Sequence, residues 1–376
     1  MTPLESLIHR EITLNGAMPF DRFMYLALYT EDMGYYMSES TAIGRKGDFY
    51  TSSSLHHLFA VMIARQVEEM WQILDRPTNL AFIECGGGMG FFAKDFLDYV
   101  SQKPLNRVLR YIIIEKNPHL QKRQSALLSE QKEKIIWIRD IEELNETKGI
   151  IFCNELFDAF PVRIVQKVDK GIYEVWLNVK DGKIVEEHYP CRQDTMEYIN
   201  DFCPQITDDR FDDCYRTEIN LSAKEWLQKA YRALGEGFII TIDYGYNSDD
   251  YYRPDRHTGT LLCYYRHEIN ENPYINIGRQ DITAHVNFSS LKKWGSDIGL
   301  RNCGFCSQGS YLVSLGIDKA ILEMYGESPD PFQIAKIKGL ILPQGLGQSH
   351  KVLIQYKGGR EFALKGFDMS NRLGYL

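Results

Sequence analysis

Residues 79–93 read Asn-Leu-Ala-Phe-Ile-Glu-Cys-Gly-Gly-Gly-Met-Gly-Phe-Phe-Ala. An apolar run ends on an acid, Glu84. Glycines follow at Gly86, Gly87, Gly88 and Gly90, and an amphipathic segment then begins. The pattern predicts a strand, a tight glycine turn and a helix, the opening unit of a nucleotide-binding α/β fold. The acid selects among nucleotides. A pyrophosphate wants backbone N–H groups and no neighbouring carboxylate. S-adenosylmethionine has no phosphate and carries a sulfonium and an ammonium, so a carboxylate at the strand tip favours it. Gly88-Met-Gly90-Phe-Phe-Ala93 also fits the dinucleotide pattern Gly-x-Gly-x-x-Ala. Glu84 is the residue that discriminates against that reading.

The chain continues to alternate. Strand patterns at 80–84, 110–115, 134–138 and 149–153 are separated by helical ones, at 91–100 and after Pro118. The run Tyr-Ile-Ile-Ile at 111–114 suits a parallel strand buried on both faces. A helix at 222–234 and a strand at 237–243 resume the pattern. The expected fold is α/β, a Rossmann-like doubly wound sheet with N-terminal helices and a β-hairpin and lid insertion. Alternation at 163–168 and 173–179 around Asp169-Lys170-Gly171, with another turn at Lys180-Asp181-Gly182, predicts the hairpin. The tyrosine-rich stretch 244–276 lacks periodicity and reads as a long functional loop or lid. Apolar residues at helical spacing predict two helices over 3–30, parted by Asn15-Gly16, and a longer one at 55–74. A further helix ends within 294–300, and 310–314 and 351–356 read as closing strands. The expected division is an N-terminal helical segment, 1–75, packing on the core, and a Rossmann-like domain, 76–376, with insertions at about 163–215 and 244–290.

Composition narrows the partners. A net charge of −8 argues against a nucleic-acid groove, which needs a basic patch. No apolar run approaches a membrane span. The eight cysteines include one isolated Cys303-Gly-Phe-Cys306, without the second pair of a metal site, so no metal is expected. Asp208, Asp209, Asp212 and Asp213 read as a solvated loop. The N-terminus has neither a basic signal region nor an Arg-rich, acid-poor transit segment, which points to a cytoplasmic location.

Other residues can carry chemistry. Glu115 ends the second strand, where a carboxylate can accept both ribose hydroxyls of a nucleotide. Asp140, after the third strand, could receive an adenine amino group; the same run also reads as a helix start. The fourth strand leads into Asn154-Glu155-Leu156-Phe157-Asp158, at the end where such sheets bind ligands. Asn154, Glu155 and Asp158 are candidates for gripping a substrate beside the transferable methyl; a helix N-cap is the plainer alternative. For a guanidinium acceptor, a carboxylate can orient the cation and concentrate its charge on the nitrogens that do not react. His267 and His285, each in a polar stretch, are further candidates, although a lone histidine is more often structural.

Together these segments resemble the MidA-like family. Its mitochondrial members are S-adenosylmethionine-dependent protein arginine methyltransferases associated with assembly of respiratory complex I. The resemblance rests on Gly47-Asp48-Phe49-Tyr50-Thr51-Ser52, Glu84 to Gly90, Asn154 to Val162, Ile242-Asp243-Tyr244-Gly245, Gly259 to Tyr264, Asp281-Ile282-Thr283-Ala284-His285-Val286-Asn287-Phe288 and Ser307-Gln308-Gly309. Where the family usually has proline and an acid after Thr-Ser, this chain has Ser53-Ser54, and Arg163 stands where histidine is usual. The resemblance implies a class I methyltransferase sheet and S-adenosyl-L-methionine as cofactor. It implies cofactor contacts from Glu84, Gly86, Gly88, Gly90 and Glu115, to which Asp140, Gly47, Thr51 and Ser52 are added. It places Gly47 to Ser52, Asn154, Glu155 and Asp158 near the reaction centre, with His285 as a further catalytic candidate. The partner it implies is a protein substrate, of the respiratory-complex-subunit type. Two other readings stand beside it. One is an assembly or binding factor that keeps the fold and does little catalysis; the other is a small-molecule methyltransferase.

Overall fold

Strands of Ile, Phe and Leu that are buried on both faces build the central sheet of the computed structural model, which describes residues 1–39, 55–326 and 330–376. Seven of its eight strands form one continuous path: β1 Leu80–Cys85, β2 Leu109–Ile114, β3 Ile135–Ile138, β4 Thr147–Asn154, β5 Leu234–Tyr246, β6 Arg301–Ser307 and β7 His350–Lys357. Across the sheet they run β3-β2-β1-β4-β5-β7-β6. Parallel pairing joins β1 to β2 and β4, β2 to β3, and β4 to β5. Only β7 among them runs against its neighbours, antiparallel to β5 and to β6. This is the expected doubly wound sheet. The chain moves outward from β1 through β2 to β3, then returns to β4 on the other side of β1. Ligands of such sheets bind beyond the carboxyl ends of the strands at this reversal, and Glu84 and Asn154 stand at those ends.

The first helix after the turn, α1 Phe91–Val100, buries Phe92, Ala93, Phe96, Leu97 and Val100, a stripe at helical spacing. Phe96 stacks on Phe82 of β1 and Phe92 on Phe152 of β4, each at 4.5 Å between ring centroids. Burying each ring contributes roughly 2–3 kcal/mol. The long helix expected at 55–74 is Leu58–Ile73, and its apolar stripe joins this same core.

The chain divides into two compact units. The sheet's unit comprises Ile43–Leu156, Trp226–Gly245 and Lys292–Leu376; the other comprises Met1–Ala42, Phe157–Glu225 and Tyr246–Leu291. Residues 1–75 therefore contribute to both. In the second unit the helix Pro3–Asn15 is closed by a capping box between Thr2 and Glu5, and Phe20–Tyr29 follows it. The predicted hairpin is there, with a third strand: Arg163–Val168, Gly171–Lys180 and Lys183–Pro190. Its turns use Asp169-Lys170 and Asp181-Gly182, all at positive φ, as two-residue hairpin turns require. Met18–Pro19 and Arg216–Ile219 complete a five-stranded sheet. The stretch read as a lid contains the short helix Ser248–Tyr251 and the strands Leu262–Tyr265 and Glu268–Asn270, which make a three-stranded sheet with Asp281–Thr283.

One expectation was reversed. Residues 310–314 form a helix, Gln308–Ser314, and the strand lies just before it, at β6. The Ser307 hydroxyl accepts the Ser310 N–H and caps the helix. A run as short as Tyr-Leu-Val has no readable period, so the cap decides. Cys303 and Cys306 belong to β6, and all eight cysteines are free thiols. Among the described residues no cluster could hold a metal ion, and no helix is long and apolar enough to cross a membrane.

Candidate functional site

The glycine turn has the backbone that its sequence implies. Gly86, Gly88 and Gly90 take φ of 75°, 50° and 85°, a region that side chains disfavour. The Gly86 N–H donates to the Ile114 carbonyl at 3.0 Å and fixes the turn to β2. Gly90 is the N-cap of α1. A Cβ on Gly87 would stand 3.0 Å from Ile113 and 3.4 Å from Glu84, so this position is small for steric reasons.

Two buried carboxylates flank the turn. Glu84 Oε2 accepts the Tyr111 hydroxyl at 2.8 Å. Glu115 Oε1 accepts the Asn117 N–H at 2.9 Å, and its Oε2 accepts the Gln124 amide at 3.3 Å. The same Gln124 amide donates to the Gly88 carbonyl at 2.8 Å, and the Trp137 indole N–H donates to Gln124 Oε1. Gln124 therefore ties the ribose candidate to the cofactor turn. Tyr111, Asn117 and Gln124 were not anticipated. Each acts through a neighbour on another strand or turn, which no local pattern marks.

Burial pushes Glu84 up to about 7; the Tyr111 hydroxyl opposes the shift and Glu115 adds to it. Burial also lifts Glu115 to about 7, against hydrogen bonds from the Asn117 backbone, Gln124 and the Lys116 backbone. Neither acid is paired with a basic side chain among the described residues. The pair thus suits a ligand that brings positive charge and hydroxyl donors, as S-adenosylmethionine does. A carboxyl whose folded pKa is raised stabilises the fold below its unfolded value and loses that contribution as pH rises through the folded one. The unliganded protein should therefore lose thermal stability between about pH 4.5 and about pH 7. Melting curves across that window should show a smaller loss for Glu84→Gln than for the wild type; equal losses would contradict the assignment.

Asp140 is the N-cap of the 3-10 turn Ile141–Glu143, in a capping box with Glu143. Its carboxylate also lies 3.8 Å from Lys116 Nζ. The alternative reading of this run as a helix start is what the backbone adopts.

At the end of β4, Glu155 takes φ of 49°. A non-glycine residue in this region carries strain of about 1–3 kcal/mol, and such strain gathers at functional sites. The Glu155 N–H donates to the Ile242 carbonyl at 2.8 Å, which holds the strained residue against β5. Its Oε1 accepts the Asn154 amide at 3.2 Å and lies 3.6 Å from His350 Nε2. The side chains of His350 and Glu155 are only 5% and 8% exposed. His350 opens β7 opposite Tyr244 of β5. It was not anticipated, because only the reversal of β7 brings it to β4.

The remaining candidates among the described residues belong to the other unit. Asp158 is buried, and its carbonyl accepts the Ala284 N–H at 2.9 Å. The Tyr36 hydroxyl donates to Asp281 at 2.7 Å; burial first, then Asp281 and Asp158, raise Tyr36 well above its usual range. His285 packs against the Tyr246 ring at 5.3 Å, and its backbone N–H donates to the Thr260 hydroxyl. It borders a cleft of about 540 Å³ that also includes Arg216, Glu186 and Tyr274. Buried Glu218 accepts the Thr260 N–H, the Thr260 hydroxyl and the Tyr251 hydroxyl, and anchors one wall of that cleft. His267 sits at φ of 66° in an exposed turn. Gly47, Thr51 and Ser52, with the neighbouring Ser53 and Ser54, lie outside the described residues.

Residues 62–306 match the model of a family described as "Putative S-adenosyl-L-methionine-dependent methyltransferase". A solved structure from Burkholderia thailandensis, described as a "likely methyl transferase" and bound to S-adenosyl-homocysteine, has a TM-score of 0.87 at 28% identity, covering 99% of this chain and 96% of that one. A second structure from the same organism has a TM-score of 0.85 at 30% identity, with the same coverage. The mouse protein named protein arginine methyltransferase NDUFAF7, mitochondrial, is 24% identical, over 93% of this chain and 83% of its own length. Its Drosophila melanogaster homologue is 22% identical, over 94% and 85%. These relatives are named as mitochondrial proteins, which overturns the expected cytoplasmic location. The composition of the first residues was too narrow a signal to support it.

Proposed function

The chain belongs to this family of S-adenosyl-L-methionine-dependent methyltransferases, and from that premise we propose that the acceptor is the guanidinium of an arginine in a protein partner. The observation that carries this reading is Glu155: a buried carboxylate, held at a strained backbone position, at the carboxyl end of β4. The names of the NDUFAF7 relatives support the same acceptor.

S-adenosylmethionine supplies a methyl group on a sulfonium, ready for in-line displacement. In this reading Glu115 receives the ribose hydroxyls, Glu84 supports the cationic end, and Gly86, Gly88 and Gly90 let the backbone come close. Asp140, Gly47, Thr51 and Ser52 complete the cofactor contacts. Glu155, with Asn154 beside it, would grip the guanidinium and present one nitrogen to the methyl; that nitrogen gives up a proton to solvent, the N–C bond forms as the S–C bond breaks, and S-adenosyl-homocysteine leaves. In-line transfer depends on alignment above all, and such positioning can supply several kcal/mol of the barrier reduction, up to roughly 7–11 kcal/mol. The partner class we propose is a respiratory-complex-type subunit, the one that the family resemblance implies.

The test is transfer of a labelled methyl group from S-adenosylmethionine into a cell extract, followed by mass spectrometry. The label should appear as methylarginine in a protein. Label confined to small molecules, or to another amino acid, would refute the acceptor. Cofactor binding without any transfer would favour a binding factor.

A further inference from the structure

We infer that His350 is a positioning residue for methyl transfer, acting through the Glu155 carboxylate. The inference rests on the reading of Glu155 as the group that holds the acceptor. His350 comes from β7, which runs antiparallel to β5 and β6, and reaches the end of β4 from across β5. Its Nε2 is buried, has no hydrogen-bond partner among the described residues, and lies 3.6 Å from Glu155 Oε1. Its Nδ1 is 3.1 Å from the Ser349 hydroxyl. That hydroxyl also lies 3.4 Å from the Leu346 carbonyl; when it donates to the nearer Nδ1 instead, the ring proton sits on Nε2 and faces the carboxylate. The Tyr244 ring, 5.6 Å away at 63°, forms one wall beside the imidazole.

A separation of 3.6 Å is too long for a hydrogen bond. Catalytic contacts of this kind often tighten only in the reacting complex. Asn154 already holds Oε1 from one side. His350 supplies the second fixed direction, so the carboxylate cannot turn away from an incoming guanidinium.

The test uses the full chain with S-adenosyl-homocysteine as the binding probe and labelled transfer into a cell extract as the rate. His350→Phe fills the space without a donor; His350→Gln restores an N–H near the Nε2 position. His350→Phe should keep its affinity for S-adenosyl-homocysteine and lose roughly ten- to a hundredfold in transfer at saturating cofactor. His350→Gln should recover most of the loss. The double variant with Glu155→Gln should be no slower than Glu155→Gln alone, since both act on one interaction. Wild-type transfer by His350→Phe would overturn the inference, as would a loss of cofactor affinity that matches the loss of rate. Failure of His350→Gln to recover, or additive losses in the double variant, would do the same. Should His350→Phe not fold, the Gln variant and the double variant decide alone. Label on an acceptor other than arginine refutes the proposed acceptor, whereas these rate ratios read His350 whichever acceptor is methylated.

Discussion

Replacing Gly88 by valine is expected to weaken S-adenosyl-homocysteine binding about a hundredfold or more, a change of roughly 3 kcal/mol, while the protein stays folded. Gly88 sits at φ of 50° in the middle of the turn. A β-branched residue in this region is an outlier, because its Cβ substituents clash with the backbone on both sides. The chain would relieve the clash by moving the turn. The Gly88 carbonyl also accepts the Gln124 amide, which in turn holds Glu115. A shifted turn therefore disturbs the ribose acceptor as well as the backbone approach. The fold should persist, since Gly88 is half-buried rather than part of the core, and the strain is of the order of 1–3 kcal/mol. Calorimetric titration with S-adenosyl-homocysteine, beside a melting curve, checks both halves. Unchanged affinity would move the cofactor site away from this turn.

Much of the sheet was legible because its strands announce themselves. β1, β2 and β4 are continuous apolar runs ended by an acid or an amide, and α1 begins directly after the last glycine. The hairpin was legible because Asp169, Asp181 and Gly182 are residue types that accept the positive φ that tight turns need. The exchange of strand and helix at 301–314 was not, since the deciding contact is the Ser307 cap and β6 lacks a clean alternation, its burial beginning only at Gly304. The third strand of the meander, Lys183–Pro190, escaped notice for a related reason: it is largely exposed and polar, so no hydrophobic pattern marks it.

The site divides in the same way. Glu84, the glycines and Glu115 could be read because strand ends and turns are local features. Tyr111, Gln124 and His350 could not. Tyr111 looked like one more apolar residue of β2, and its hydroxyl matters only because β1 runs beside it. Gln124 is a buried amide in a polar helix, and only folding over the turn gives it partners. His350 gains its place from the reversal of β7, the one strand whose direction the βα alternation does not set.

The Glu155→Gln variant is the other change of large effect. It keeps the size of the side chain, its strained backbone and an oxygen to accept the Asn154 amide. It removes the charge. A hydrogen bond to a charged group contributes about 1.5–3 kcal/mol. If that bond is made fully only as the methyl moves, its loss slows transfer roughly ten- to a hundredfold. The cofactor contacts proposed for Glu84, Glu115 and the turn are untouched by the substitution. The decisive measurement is therefore the rate of labelled methyl transfer at saturating S-adenosylmethionine, wild type against Glu155→Gln, with S-adenosyl-homocysteine affinity determined on the same preparations. A loss of roughly ten- to a hundredfold in rate with unchanged affinity is the predicted result. A wild-type rate in the variant would show that the carboxylate at the end of β4 does not hold the acceptor.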